Sequence, residues 1–316
     1  MILEVFTVTT EEEVKMPPTN FPNGITSQGV PVVGGAFLTT GNVYFVHSGT
    51  GLDGNAGLHG ANALATVDKA LSLCTSNKNS TILLMPGHTE SITDATGFVV
   101  DKIGVSIIGL GNGTDRPIFT FDNTAASVEI DAANVHLENI LFQADVSAVV
   151  VGMNIDANGF SMNNCEFNFN ATGDDFLTMV DIDAFDKHSI TNCKFVSESG
   201  AAGAAEAIRL DDCHFVTIAH NHFTGQWSDA AIVGEGAAGT DLIIDNNRIY
   251  NADTTTTNGV AIAVAFTGLL TNNLIGTLYT TDPESIIDPG SLLACENYVC
   301  NNIDESGAIV PVDIST

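Results

Sequence analysis

Among the three Arg residues of the chain, Arg116, Arg209 and Arg248, Arg209 alone stands beside paired acids, Asp211 and Asp212. Two carboxyls several ångströms apart are what an inverting glycosidase needs, one to protonate the leaving group and one to activate water. Strand alternation through Ile208-Arg209-Leu210-Asp211 turns Ile208 and Leu210 inward and leaves Arg209 and Asp211 outside, where a solvated ion pair is the ordinary outcome. No catalytic residue is therefore expected; Arg209, Asp211 and Asp212 are the set an enzyme would use.

The other chemistry-bearing residues read in the same two ways. Asp131, Asp156, Asp183 and Asp211 each follow a short apolar strand at the same place, the pattern of turn-forming Asp, with a Ca²⁺-binding row as the alternative. His214, His220 and His222 lie close in sequence, with His220 and His222 expected on one side of a strand. A transition metal would need three converging nitrogens, and His220 is better read as a stand-in for Asn, so no metal is expected. Asp53-Gly54-Asn55 lacks the spaced acids of a Ca²⁺ loop and reads as a tight turn. Trp227, the only Trp, follows Gly225-Gln226 on an expected loop, where it is a candidate sugar platform. The six Cys show no CxxC or zinc-type spacing, and no cofactor is expected.

What must position these residues is a repeat. An apolar-x-Asn-x-x-aromatic (or Ile) pattern returns as LENILF from Leu137, MNNCEF from Met162, ITNCKF from Ile190, IAHNHF from Ile218, IDNNRI from Ile244, LTNNLI from Leu270 and LACENY from Leu293; successive starts differ by 25, 28, 28, 26, 26 and 23 residues. A fixed period of that size marks a stacked-repeat architecture. Asn139, Asn164, Asn192, Asn246 and Asn272 mark a bend, because Asn tolerates the left-handed backbone. A further apolar strand belongs to each coil: VEID, MNID, VDID, IRLD, AIV, IAVA (Ile262 to Ala265) and SII. Two or three strands per coil, with coils stacked about 4.8 Å apart, predict an all-β parallel β-helix. Phe142, Phe167, Phe195 and Phe223 should then form one inner column, continued by Ile249, Ile275 and Tyr298. The Asn form a second column, with His220 and Cys295 taking their place in two coils, and its stacked amides would satisfy buried polar groups. Cys165 and Cys193 should stack as reduced core thiols.

These Asn ladders and Phe stacks resemble those of the right-handed parallel β-helix (pectate-lyase-like) superfamily. The resemblance implies a place to look for a lyase, a Ca²⁺ cluster of carboxylates with an Arg or Lys base, for which Arg209 with Asp211 and Asp212 is the best constellation. Asp211-Asp212 is also similar to the paired acids of polygalacturonases, although the Gly-His-Gly and Arg-x-Lys motifs of that family are missing. VYFVHSGTGLDG, ATVDKALSLC with Thr66 as N-cap of a capping helix near 66–76, LLMPGHTESI, VSIIGLGNGTDRP and IIDPGSLLACENY resemble β-helix proteins encoded among the structural genes of tailed bacteriophages.

The chain has 316 residues, Lys+Arg 9 against Asp+Glu 38, and a formal charge of -29. So few cations argue against nucleic acid, whose phosphates are held by Lys and Arg, and against an anionic membrane face. No signal peptide and no apolar run of spanning length is visible. Three segments are expected: an extended N-terminal arm over 1–40, with Pro17, Pro18 and Pro22 opposing helix and central strand; a β-helix body over 41–300; and a C-terminal cap or tail over 301–316, with Ile309, Val310, Val312 and Ile314 as an end strand. The resemblance implies a non-enzymatic virion protein assembled in the host cytoplasm. It would be a capsid decoration, cement or spike protein, a homotrimer fastened through residues 1–40 to the major capsid protein or another virion component. The alternatives are a tailspike-type polysaccharide depolymerase or lyase and a carbohydrate-binding adhesin.

Overall fold

The computed structural model describes residues 26–27, 30–31, 39–198, 203–237, 239–254, 258–262, 266–278, 286–300 and 310–312. The chain divides into two units, Met1–Leu38 and Thr39–Thr316. In the first, Thr26–Ser27 pairs antiparallel with Val30–Pro31. The arm expected over 1–40 otherwise falls outside the described residues.

The second unit is a parallel β-solenoid built from three long sheets. Each coil contributes a strand to the first sheet, passes a tight bend into the second, continues into the third and returns. The first sheet runs from Val43–Val46 through strands such as His136–Glu138 and Thr217–Ala219 to Leu293–Cys295; the second from Thr89–Ile92 to Asn297–Cys300; the third from Phe98–Val99 to Ile287–Asp288. Every ladder between coils is parallel, and Val310–Val312 closes the second sheet by pairing antiparallel with Asn297–Cys300. That end strand matches the expectation for Val310 and Val312; Ile309 and Ile314 lie outside the described residues.

The beginning of the solenoid is covered by the helix Val67–Leu73, whose Val67, Ala70 and Leu71 are buried. Thr66 caps it, its Oγ1 accepting from the Lys69 N–H at 3.2 Å. Asp53 secures the cap: Oδ1 accepts from the N–H groups of Ala65 and Thr66 and Oδ2 from the Thr66 hydroxyl, at 2.9 to 3.1 Å. The turn reading of Asp53 therefore holds, with its carboxylate committed to the helix start.

Inside, the rings of Phe119, Phe142, Phe167, Phe195 and Phe223 stack one per coil, with centroids 6.0, 4.9, 5.6 and 4.8 Å apart. Ile249 and Ile275 continue the column. Its last member is Val299, in register with Ile275, while Tyr298 pairs with Leu274 and points outward. The final repeat therefore reads ACENYV, one residue later than LACENY, and a one-residue slip exchanges the faces of a strand. For the same reason Cys295 pairs with Thr271, and Glu296 takes the bend position.

The bend itself behaves as the Asn pattern requires. Asn139, Asn164, Asn192, His220, Asn246, Asn272 and Glu296 all have φ between 51° and 59°. The correction concerns which amides are buried. These bend residues face outward; the ladder satisfying interior polar groups is formed by the next residue in each coil, Asn221, Asn247, Asn273 and Asn297, all buried. Ile140, Cys165 and Cys193 hold the same position in the three coils before Asn221, the two Cys as free thiols. In the third sheet, Val260–Ile262 is the strand in register with Trp227–Glu235; of the strand expected at Ile262 to Ala265, all but Ile262 lies outside the described residues.

Candidate functional site

The third sheet carries the chemistry-bearing side chains on its outer face. Val128, Ile130, Met153, Ile155, Val180, Ile182, Ile208 and Leu210 are wholly buried. The residues between them form two outward columns. Glu129, Asn154, Asp181 and Arg209 make up one, and Asp131, Asp156, Asp183, Asp211 and Glu235 the other, each stepping one coil at a time. The recurrent Asp read from the sequence are thus a true row.

At the upstream end of this face the carboxylates of Glu129, Asp131 and Asp156 come within 4.8 Å of one another, close enough to share a metal ion. Partial burial, followed by the charges of Glu129, Asp131, Asp183 and Asp181, raises the Asp156 carboxyl above its ordinary range. Asn154 spans the group, its Nδ2 donating to Glu129 Oε2 and to Asp156 Oδ2 at 3.0 Å each. Beside them Glu129, Asn154 and Asp181 line a groove of about 410 Å³ whose other walls include Ala95, Thr124 and Val150.

Downstream, Arg209 is locked. Its Nε donates to Asp181 Oδ1 at 2.9 Å and its Nη2 to Asp181 Oδ2. Glu206 and Glu235 approach the same guanidinium at 3.7 and 3.8 Å. The hydrogen bonds it donates to Asp181 lead in raising its pKa further. Glu206, buried at the strand's inner edge and hydrogen-bonded by the Thr178 hydroxyl at 2.6 Å, has its carboxyl raised by that burial.

Asp211 and Asp212 do not join this network. Asp211 Oδ1 accepts from the Ala237 N–H at 2.6 Å, holding the next coil's turn, and Asp212 stands in the turn after the strand Ala204–Asp211 with φ 46°. The ion-pair partner of Arg209 is Asp181, one coil back, a pairing visible only once the coils are in register. The three His are likewise separated: His214 Nδ1 meets Thr240, His220 sits in the bend against Asn246, and only His222 is on a strand. They are absent from the metal-capable clusters of the described residues. Trp227 corrects the sugar-platform reading outright: it opens the strand Trp227–Glu235 and is fully buried.

A base for proton abstraction must be able to give up its own proton. Arg209 is held protonated by three carboxylates and stands three coils, about 14 Å, from Glu129 along the column. Arg116 is tied to Glu166 at 3.0 Å and Arg248 faces outward on the second sheet, so neither reaches the carboxylate group. The arrangement can bind a cation or present negative charge.

The fold is a parallel β-helix of three sheets. No protein-family model matches the chain, and no curated protein matches its sequence. Among solved structures, it is similar to a rhamnogalacturonan lyase at 13% identity, covering 85% of this chain and 90% of that one with a TM-score of 0.42. A pectate lyase from Bacillus sp. N165 solved with trigalacturonate is 13% identical over 89% and 87%, with a TM-score of 0.44. An open reading frame of Geobacillus virus E2 is 10% identical over 74% and 57%, with a TM-score of 0.40.

Proposed function

We propose that this chain is a non-enzymatic structural protein of a bacteriophage virion, a capsid decoration, cement or spike protein whose rigid solenoid is fastened through residues 1–40 to the major capsid protein or another virion component. The observation that favours a non-enzymatic role is the state of Arg209: this cation of the acidic face is neutralised by Asp181, Glu206 and Glu235. The phage assignment rests on the resemblance of the segments from VYFVHSGTGLDG to IIDPGSLLACENY. In this reading the solenoid presents negative charge outward, nucleic acid and membrane are not partners, and copies associate, with a homotrimer as the expected stoichiometry. Binding only the assembled shell would stabilise it by mass action. Labelling of particles with an antibody to the chain tests the proposal: many copies on the head support decoration, and their absence from particles removes the virion role.

A polysaccharide depolymerase is the second reading, favoured by the groove beside Glu129, Asn154 and Asp181. Turnover of an acidic or host-surface glycan that is lost in Asp156→Asn or Asp211→Ala would establish it in place of the first. The adhesin reading loses Trp227 as its platform.

A further inference from the structure

One face of the solenoid departs from the charge of the rest. The chain carries a formal charge of -29, so two copies repel over most of their surface. Among the described residues of the second sheet from Ile118 to Cys300, Glu166 is the only acid at an outward strand position, against Lys194 and Arg248. Glu166 is itself neutralised, by Arg116 and Lys194 at 3.0 Å each.

Toward the C-terminal coils this face becomes apolar. Arg248, Leu274 and Tyr298 stand in register in one outward column, and Tyr250, Gly276 and Cys300 in the next. Tyr250, Leu274 and Tyr298 are 42%, 41% and 45% exposed. Between them lies a groove of about 190 Å³ that depends on Gly276, where a Cβ would come within 3.3 Å of Cys300 Sγ and 3.4 Å of Tyr250 Cδ2. Around the bend, on the first sheet, Ile243, Leu269 and Leu293 form another exposed column in register. Contiguous rows of large apolar side chains on a soluble protein mark an interaction surface.

We propose that a second copy of this chain docks on this face, with the contact centred on Leu274. Charge selects the occupant. A cationic partner is drawn to the carboxylate columns of the third sheet, whereas a body as acidic as this chain meets least repulsion where carboxylates are fewest, here the second-sheet strands from Arg248 to Tyr298, with Asp245 and Glu296 at the bend as the neighbouring acids. Arg248, next to exposed Tyr rings, supplies a cation that can meet an aromatic face across the contact. The end strand Val310–Val312 covers the last ladder edge of the second sheet, so at this sheet copies meet side to side and not end to end. The inference deepens the self-association in the proposed function but needs neither a particle nor a phage.

The experiment is the solution mass of the full chain by sedimentation equilibrium, from micromolar to hundreds of micromolar. The wild type should show a multiple of the monomer mass. Leu274→Glu combined with Tyr298→Glu should return it to monomer, while Leu177→Glu, at an equally exposed Leu of the third sheet, should leave the assembly intact. Both targets of the double variant are surface residues, so a circular-dichroism melt should stay near wild type. In a Cys295→Ser background, a short bis-maleimide should also join two copies through exposed Cys300, whatever the stability of the double variant. A wild type that stays monomeric throughout, an assembly that survives the double variant, or no Cys300 cross-link would each overturn the proposal. A self-associating chain missing from particles would keep this surface and remove only the virion role.

Discussion

Asn247 Oδ1 accepts two hydrogen bonds from Asn221, from the backbone N–H at 2.9 Å and from the side-chain amide at 3.1 Å. Asn247 repeats both bonds to Asn273 Oδ1 at 2.9 and 3.0 Å and also donates to the Ile218 carbonyl at 2.9 Å. One buried amide thus settles the polar groups of three successive coils. Asn247→Ala should strand several of them, each costing about 1–3 kcal/mol, for a total loss of at least about 3 kcal/mol in a urea melt. Asn246→Gly, one residue away with φ 52°, should cost little, because Gly adopts that backbone freely.

This pair of neighbours also explains what could be read in the sequence. The outward Asn of the bend is nearly invariant from coil to coil because its backbone angle demands it, so the period and the bend were legible. The inward ladder was hidden because Ile140, Cys165 and Cys193 hold the same position in the three coils before Asn221, and an apolar side chain and two thiols break the pattern of amides. The last coil misled for a different reason: Tyr298 sits where an aromatic is expected and Val299 where none is, and apolar pattern alone cannot choose between adjacent frames. Trp227 followed Gly and Gln and read as loop, yet a strand starts at that residue. Of the site, the Asp row was legible because it repeats once per coil. The Arg209–Asp181 pair was not, since its members lie 28 residues apart and meet only through coil register.

Arg209→Met tests that pair. It leaves Asp181, Glu206 and Glu235 without their cation, two of them buried. Removing one partner of a fully buried pair costs about 3–5 kcal/mol; with the Arg209 side chain 32% exposed, about 2 kcal/mol at neutral pH is expected after allowing for solvent screening. Burial already raises the Glu206 carboxyl, and Arg209 is among the groups that oppose this, so without the cation the Glu206 contribution is present at low pH and lost as pH rises through its folded value. The deficit relative to wild type should therefore shrink as the melts are taken from neutral pH toward acid.

Asp156→Asn should act in the opposite direction. Asp156 is crowded by Glu129 and Asp131, and burial together with their charges already disfavours its ionised form. Removing one of three adjacent charges keeps an acceptor for Asn154 and relieves like-charge repulsion. A small gain, below about 1 kcal/mol, is expected in a thermal melt with chelator present and at low salt, fading as salt is added.

Asp175 gives the chain an interior pH response. It is 2% exposed; its Oδ2 accepts from the Ser197 hydroxyl and the Glu198 N–H at 2.9 Å each, and its Oδ1 from the Phe176 N–H at 2.8 Å. Burial outweighs these donors and pushes its carboxyl up to about 6. Because the folded value is raised, its contribution is complete below the unfolded carboxylate range and is lost as pH climbs through about 6. Wild type should therefore lose on the order of 2 kcal/mol between pH ~4 and ~7 from this group alone. The overall negative charge acts in the same direction, so the measurement is the difference between wild type and Asp175→Asn. The variant should show the shallower decline, and parallel declines would mean that Asp175 does not titrate inside the fold.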